Sequence, residues 1–282
     1  MYNAIDNYNN KKLRSDLPST DDAPVSYPDS TYAPIRIDKK LKLIFENHLI
    51  SIEPLKNHNE SIYRRFEEGK LAVEQVLSIS NNDPTISVIP IPPVNMPSKV
   101  SDHVMLKLTM PIVIDAGGHL IKYCTMPIEL AAIRKNSDSS KLPGIIDTFS
   151  IGSPKYALYG EPHNGLITRF HQASLHDSLD EVNARKFEQA KIEISLINRT
   201  DTAIKLNRIV LPAAQMNFFY DNGDNNNQTI YLESLEMDIL SNLRAMISLL
   251  NRSPRQSAAP MPAISNFSER EKFEMKRGVF IA

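Results

Sequence analysis

The stretch His103–Ile133, "HVMLKLTMPIVIDAGGHLIKYCTMPIELAAI", decides the fold class of this 282-residue chain. It is rich in Val, Ile, Leu and Thr, side chains that pack well on a pleated surface. Ala116-Gly117-Gly118 interrupts it with a turn. The reading is strand, turn, strand, with His103 and His119 flanking a hairpin. The style returns at "KIEISLINRTDTAIKLNRIVLPAAQMNFFY", residues Lys191–Tyr220. There a polar turn at Asn198–Thr202 separates two strands, and a third follows a proline. Each run carries an apolar-Pro pair, Met126-Pro127 and Leu211-Pro212. Either one β-module has been duplicated, or two similar strand orders arose independently.

Outward from these runs the same pattern persists. In "RIDKKLKLIFENHLISIEP" (Arg36–Pro54), apolar residues alternate on both sides of a short polar break, which predicts a hairpin. "PTISVIPIPPVNMP" (Pro84–Pro97) has five prolines, which a helix interior does not tolerate; it reads as an extended strand or edge segment. "ESIYRRFEEGKLAVEQVLSIS" (Glu60–Ser80) fits helix or strand. "KYALYGEPHNGLITRF" (Lys155–Phe170) reads as a hairpin, with Pro162 setting φ for the turn and Asn164-Gly165 supplying positive-φ positions. One helix is predicted, over about 234–251. Leu235, Ile239, Leu243, Met246, Ile247 and Leu250 recur at helical spacing, Ser234 is a good N-cap, and Pro254 stops it. "KFEMKRGVFIA" reads as a last strand.

The expected fold is therefore mainly β, with β-sandwich-like antiparallel sheets in two modules, 35–143 and 144–282, and one amphipathic helix in the second. Residues 1–34 are rich in Asn, Asp, Ser and Pro and read as a flexible polar tail.

Composition excludes several functions. Thirty-two Lys and Arg balance 33 Asp and Glu, for a net charge of -1, so the basic excess of a nucleic-acid binder is missing. No apolar run approaches the ~20 residues of a membrane-spanning helix, and "MYNAIDNYNNKKLRSDL" lacks the apolar region of a signal peptide. The single cysteine, Cys124, cannot form an intrachain disulfide, which suits a reducing cytoplasm. It reads as a small core residue.

"VIPIPPVNMP", "MPIVIDAGG", "YCTMPIELAAI", "KYALYGEPHNGLITRF", "NRTDTAIKLNRIVLP" and "FEMKRGVF", in this order, resemble an archaeal family catalogued as domain of unknown function 432. "YRRF" at Tyr63–Phe66 belongs to the same pattern. The resemblance covers residues 36 to 282. It implies an archaeal origin and supplies no catalytic residues.

No motif carries chemistry. "DAGGH" lacks the Lys-Ser/Thr and the helix of a phosphate loop, and Gly152-Ser153 is no nucleophile elbow. Arg64, Arg65, Glu67 and Glu68 read as a solvated charged face. His163, His171 and His176, followed by Asp177 and Asp180, form the densest histidine cluster. A spacing of five between His171 and His176 matches no one face of a helix or strand. No metal and no cofactor are expected. In the hairpin at 155–170, His163 and Arg169 have no evident structural role, so they are the candidate binding residues. The favoured function is a non-enzymatic binding or protein-interaction module, with a protein partner or self-association. The alternative is a hydrolase or metal-dependent enzyme using the His163, His171 and His176 region.

Overall fold

The computed structural model describes residues 35–37, 40–55, 60–78, 85–94, 100–134, 144–221, 229–261 and 273–275. The expected tail at 1–34 lies outside them. In chain order the strands are β1 (Ile35–Arg36), β2 (Leu41–Phe45), β3 (His48–Pro54), β4 (Glu60–Glu67), β5 (Lys70–Ser78), β6 (Thr85–Ile91), β7 (Val104–Ile114), β8 (His119–Pro127), β9 (Glu129–Arg134) and β10 (Gly144–Phe149). There follow β11 (Tyr156–Tyr159), β12 (Leu166–Ala173), β13 (Gln189–Asn198), β14 (Ile204–Leu211), β15 (Phe218–Asp221), β16 (Thr229–Leu232), β17 (Leu235–Ser241), β18 (Arg244–Leu249), β19 (Ala259–Pro260) and β20 (Phe273–Met275). Helical backbone among the described residues is confined to two short 3-10 turns, Leu179–Glu181 and Ala213–Gln215.

The described residues fall into two compact units that interleave along the chain. One runs to Ile89 and resumes over Ala131–Asp147; the other holds Pro90–Leu130 and everything from Thr148 on.

In the first unit, β2, β3, β4 and β5 form an antiparallel meander. The segment that fitted helix or strand is thus two strands joined at Glu68-Gly69, where Gly69 has φ 79°. Alternation on β4 buries Ser61, Tyr63 and Arg65, while Arg64 faces outward. The "YRRF" arginines therefore do not form one charged face. Arg64 pairs with Glu53 at 3.1 Å and Glu74 at 2.5 Å. Buried Arg65 donates Nε–H to Asp147 Oδ2 at 2.6 Å, and the Tyr63 hydroxyl donates to the same oxygen at 2.9 Å. A further sheet has the order β1-β6-β9-β10.

The second unit holds a sheet ordered β11-β12-β7-β14, and a larger one ordered β19-β15-β16-β13-β17-β18-β20 with β8 also pairing β13. Pairing is mostly antiparallel, but β12 lies parallel to β7, and β13 parallel to β16 and β17.

Two corrections follow. First, the turn at Ala116–Gly118 is not a hairpin. β7 and β8 join different sheets, so the chain crosses between sheets there, and β13 and β14 do the same in reverse. β8 pairs antiparallel with β13, and β7 with β14, so the two similar runs are each other's partners. Asn198, fully buried, ties the crossings together. Its Nδ2 donates to the carbonyls of Ile114, Asp115 and Thr202 at 2.8–3.0 Å, and its Oδ1 accepts from the amide and hydroxyl of Thr200.

Second, the expected helix over 234–251 is a hairpin, β17 to β18 around Asn242-Leu243. Leu235, Met237 and Ile239 are buried in alternation and pair with Leu249, Ile247 and Ala245. Leu235 and Ile239 satisfy both a four-residue and a two-residue period, so the helical count included them either way. Leu243, assigned to the helical apolar face, stands 60% exposed at the tip. Tertiary pairing overrides local propensity because β13 offers β17 a full ladder and an apolar face: Ile194 opposes Leu235, and Leu196 opposes Met237. No helix among the described residues is long and apolar enough to cross a membrane.

Candidate functional site

The hairpin of β11 and β12 forms as the sequence implies, with Tyr156 opposite Arg169 and Tyr159 opposite Leu166. Its turn chemistry differs in one respect. Gly160, not Asn164 or Gly165, has the positive φ, at 108°. Gly165 is required for closeness: a Cβ there would lie 2.7 Å from the Glu161 carbonyl oxygen and 2.9 Å from Leu158 Cδ1.

The two candidate binding residues separate in space. His163 stands at the tip with its side chain 74% exposed, and faces Glu161 at 3.3 Å. Arg169 lies three residues down β12 from the end of the ladder, about 10 Å along the strand. β12 is paired on both sides there, opposite Tyr156 of β11 and Val104 of β7. Its side chain is therefore directed off the sheet, and it is only 5% exposed.

Around Arg169 a cavity of about 300 Å³ is lined by Ser150, Lys155, His171, Arg185, Glu188 and Gln189, among others. His171 shares the strand face of Arg169 because it is two residues on. Ser150 follows β10, and Lys155 precedes β11. Ile128 donates its amide to the Glu188 carbonyl at 3.0 Å, which holds the 185–189 segment against the end of β8.

Charge in the cavity is unbalanced. Arg169 Nη1 lies 3.6 Å from Glu129 Oε1, and Arg185 Nη2 lies 2.6 Å from Glu188 Oε2. Lys155 remains as a third cation on the lining. Arg169 Nη2 reaches Ser150 Oγ only at 3.5 Å, while Nη1, out of contact with water, has no hydrogen-bond partner. The guanidinium also lies over the Tyr156 ring, 5.6 Å from its centre. A buried guanidinium with an unfilled donor is costly, and its planar fork matches a carboxylate or phosphate.

His171 is uncharged at neutral pH. Burial, with the nearby charges of Arg185 and Arg169, lowers it to about 4. Its Nε2 is 3.0 Å from Thr125 Oγ1. His176 lies on an isolated bridge to Tyr123 and faces Glu181 at 3.9 Å. His163, His171 and His176 therefore do not converge, and among the described residues no group of three or more His, Cys, Asp or Glu is placed to hold a metal ion. Burial pushes the Cys124 thiol up to about 12. Of the residues around this cavity, Arg169 is singled out by the sequence, and Lys155, Arg185 and Glu129 are not. Nothing in their local pattern marks them, since four separate segments bring them together.

A mainly β chain of antiparallel and mixed sheets, with a cationic cavity around the buried Arg169 among the described residues, is the class these observations define. The chain belongs to the family described as protein of unknown function, DUF432, whose profile matches residues 31–281. No curated protein and no solved structure matches it significantly.

Proposed function

We propose that this chain is a non-enzymatic binding module that takes a small anionic ligand at Arg169. The observation that carries the reading is the Arg169 guanidinium on the lining of a cavity that also holds Lys155 and Arg185, three cations against the carboxylates of Glu129 and Glu188. An anion in the cavity would lie against the Arg169 guanidinium and neutralise the excess cation. The reading treats the sheets linked by the two crossings as a sandwich, and the lone buried Cys124 suits a reducing cytoplasm.

Binding is favoured over catalysis because the chemically able groups are occupied or quenched. His171 Nε2 is held at Thr125, and the Cys124 thiol is buried and protonated at neutral pH. The hydrolase or metal-dependent alternative at His163, His171 and His176 would need convergence that their positions do not supply. A protein partner or self-association is the second form of binding. It is supported by the exposed Met110 and Val113 on β7 and Ile121 on β8.

Calorimetric titration of the intact protein with phosphate, sulfate and acetate tests the primary reading. Saturable binding that Lys155→Ala weakens and Arg169→Met abolishes is expected. Absence of binding by all three anions at millimolar concentration overturns it.

A further inference from the structure

A second cavity, also of about 300 Å³, adjoins the first. The two share Gln172, Arg185 and Gln189 as lining residues. Their chemistry differs. The first gathers Lys155, Arg169 and Arg185. The second adds Thr125, Ser174, Asn183, His176 and Glu181 to the shared residues, with Val182 as its one aliphatic side chain. Beyond Arg185 it has no Lys or Arg on its lining.

From this juxtaposition we propose that the two cavities form one site for an elongated ligand, a polyhydroxylated compound with an anionic end. The inference rests on the anion reading of Arg169. The anionic group lies at Arg169 and Lys155, and the hydroxyl-bearing part passes Arg185 into the second cavity. Side-chain amides and hydroxyls offer donors and acceptors together, and Glu181 adds acceptors. Alternating donors and acceptors suit a chain or ring of hydroxyls, each of which both donates and accepts. An acyl chain would meet polar groups there and lose their hydration without compensation. A second anionic group would meet Glu181. The structure thus selects a monoacidic sugar derivative, in which the acid is a phosphate or a carboxylate.

Arg185 holds the junction. It lines both cavities, its side chain is largely exposed, and it is braced by Glu188 while its backbone amide donates to Gln189 Oε1 at 3.1 Å. From this position it can meet both the acid and the first hydroxyls.

Titration of the full chain with inorganic phosphate, glucose 6-phosphate, gluconate and glucose tests the proposal. At least tenfold tighter binding of glucose 6-phosphate than phosphate, or of gluconate than acetate, is expected, and the better of the two names the acid. Asn183→Ala and Glu181→Gln, both at exposed positions, should remove that tenfold gain and leave phosphate binding unchanged. Equal affinity for sugar acid and simple anion overturns the extended site while the anion reading stands. Failure of every anion to bind overturns both. Tight binding of glucose itself, insensitive to Arg169→Met, would overturn the anionic end.

Discussion

Arg169 Nη1 and Glu129 Oε1 face each other at 3.6 Å with their side chains only 6% and 3% exposed. The distance is too long for a hydrogen bond, so each charge is compensated by attraction without being fully solvated by its partner.

Removing one partner should hurt more than removing both. Glu129→Gln leaves a buried guanidinium uncompensated, and a loss of about 3–5 kcal/mol is expected. The double replacement Glu129→Leu with Arg169→Met should cost less than either single change. Urea unfolding of the parent, Glu129→Gln, the two single replacements and the double replacement checks this. Glu129→Gln should also gain more stability from added phosphate than the parent protein does, because the anion then supplies the missing charge.

The buried ring of His171 makes stability depend on pH. Folded, it titrates near 4; unfolded, near its ordinary 6.5. Between those values the unfolded chain binds more protons, so stability falls as pH drops from 6.5 towards 4. For a ring still partly in water the loss is about 2 kcal/mol. Comparing urea unfolding at pH 7.5 and 4.5 should show a flatter dependence in His171→Gln, which keeps a polar group near Thr125 and does not titrate.

Asn198 should tolerate no replacement. Asn198→Ala removes its buried hydrogen bonds to the carbonyls of Ile114, Asp115 and Thr202, of which Asp115 keeps the Gly118 amide and Thr202 the Thr200 hydroxyl, and a cost of roughly 3 kcal/mol is expected. Asn198→Asp should be at least as severe, because a carboxylate would direct negative charge at three carbonyl oxygens. Thermal unfolding of the two variants checks the ranking.

The segment 235–249 offers a direct contrast between strand and helix. Met237→Ala removes a fully buried side chain between β13 and β18 and should cost about 2–5 kcal/mol. Leu243→Ser, at the exposed tip, should change stability by less than about 0.5 kcal/mol. A helix with Leu243 on its apolar face and Met237 off it would give the reverse order, so chemical denaturation of the two variants discriminates.

Much of the local structure was legible along the chain. Five prolines at 84–97, the turn at Ala116–Gly118, and the alternation in Leu41–Ile52 each act through the backbone of a few neighbouring residues. The hairpin carrying Arg169 was readable on the same basis. The segment after Ser234 was not, because Leu235 and Ile239 satisfy both periods, and only Met237 inside and Leu243 outside distinguish them.

The candidate site was legible at one residue. Arg169 stood out as a polar side chain on a short strand with no turn to make. Its partners did not, because Glu129, Ser150, Lys155 and Arg185 belong to separate segments whose approach depends on strand pairing.

By itself, then, the sequence determined that this chain builds strands, where most of them turn, and that its charge is balanced. Those properties follow from side-chain shape, backbone restriction and composition, which act locally or in sum. The tertiary structure decided which sheet each strand joins. It turned an apparent hairpin at Ala116–Gly118 into a crossing locked by Asn198, and buried Arg169 among cations from distant segments. The physical reason is that a strand's hydrogen bonds are satisfied by another strand, and nothing in its own residues says which one.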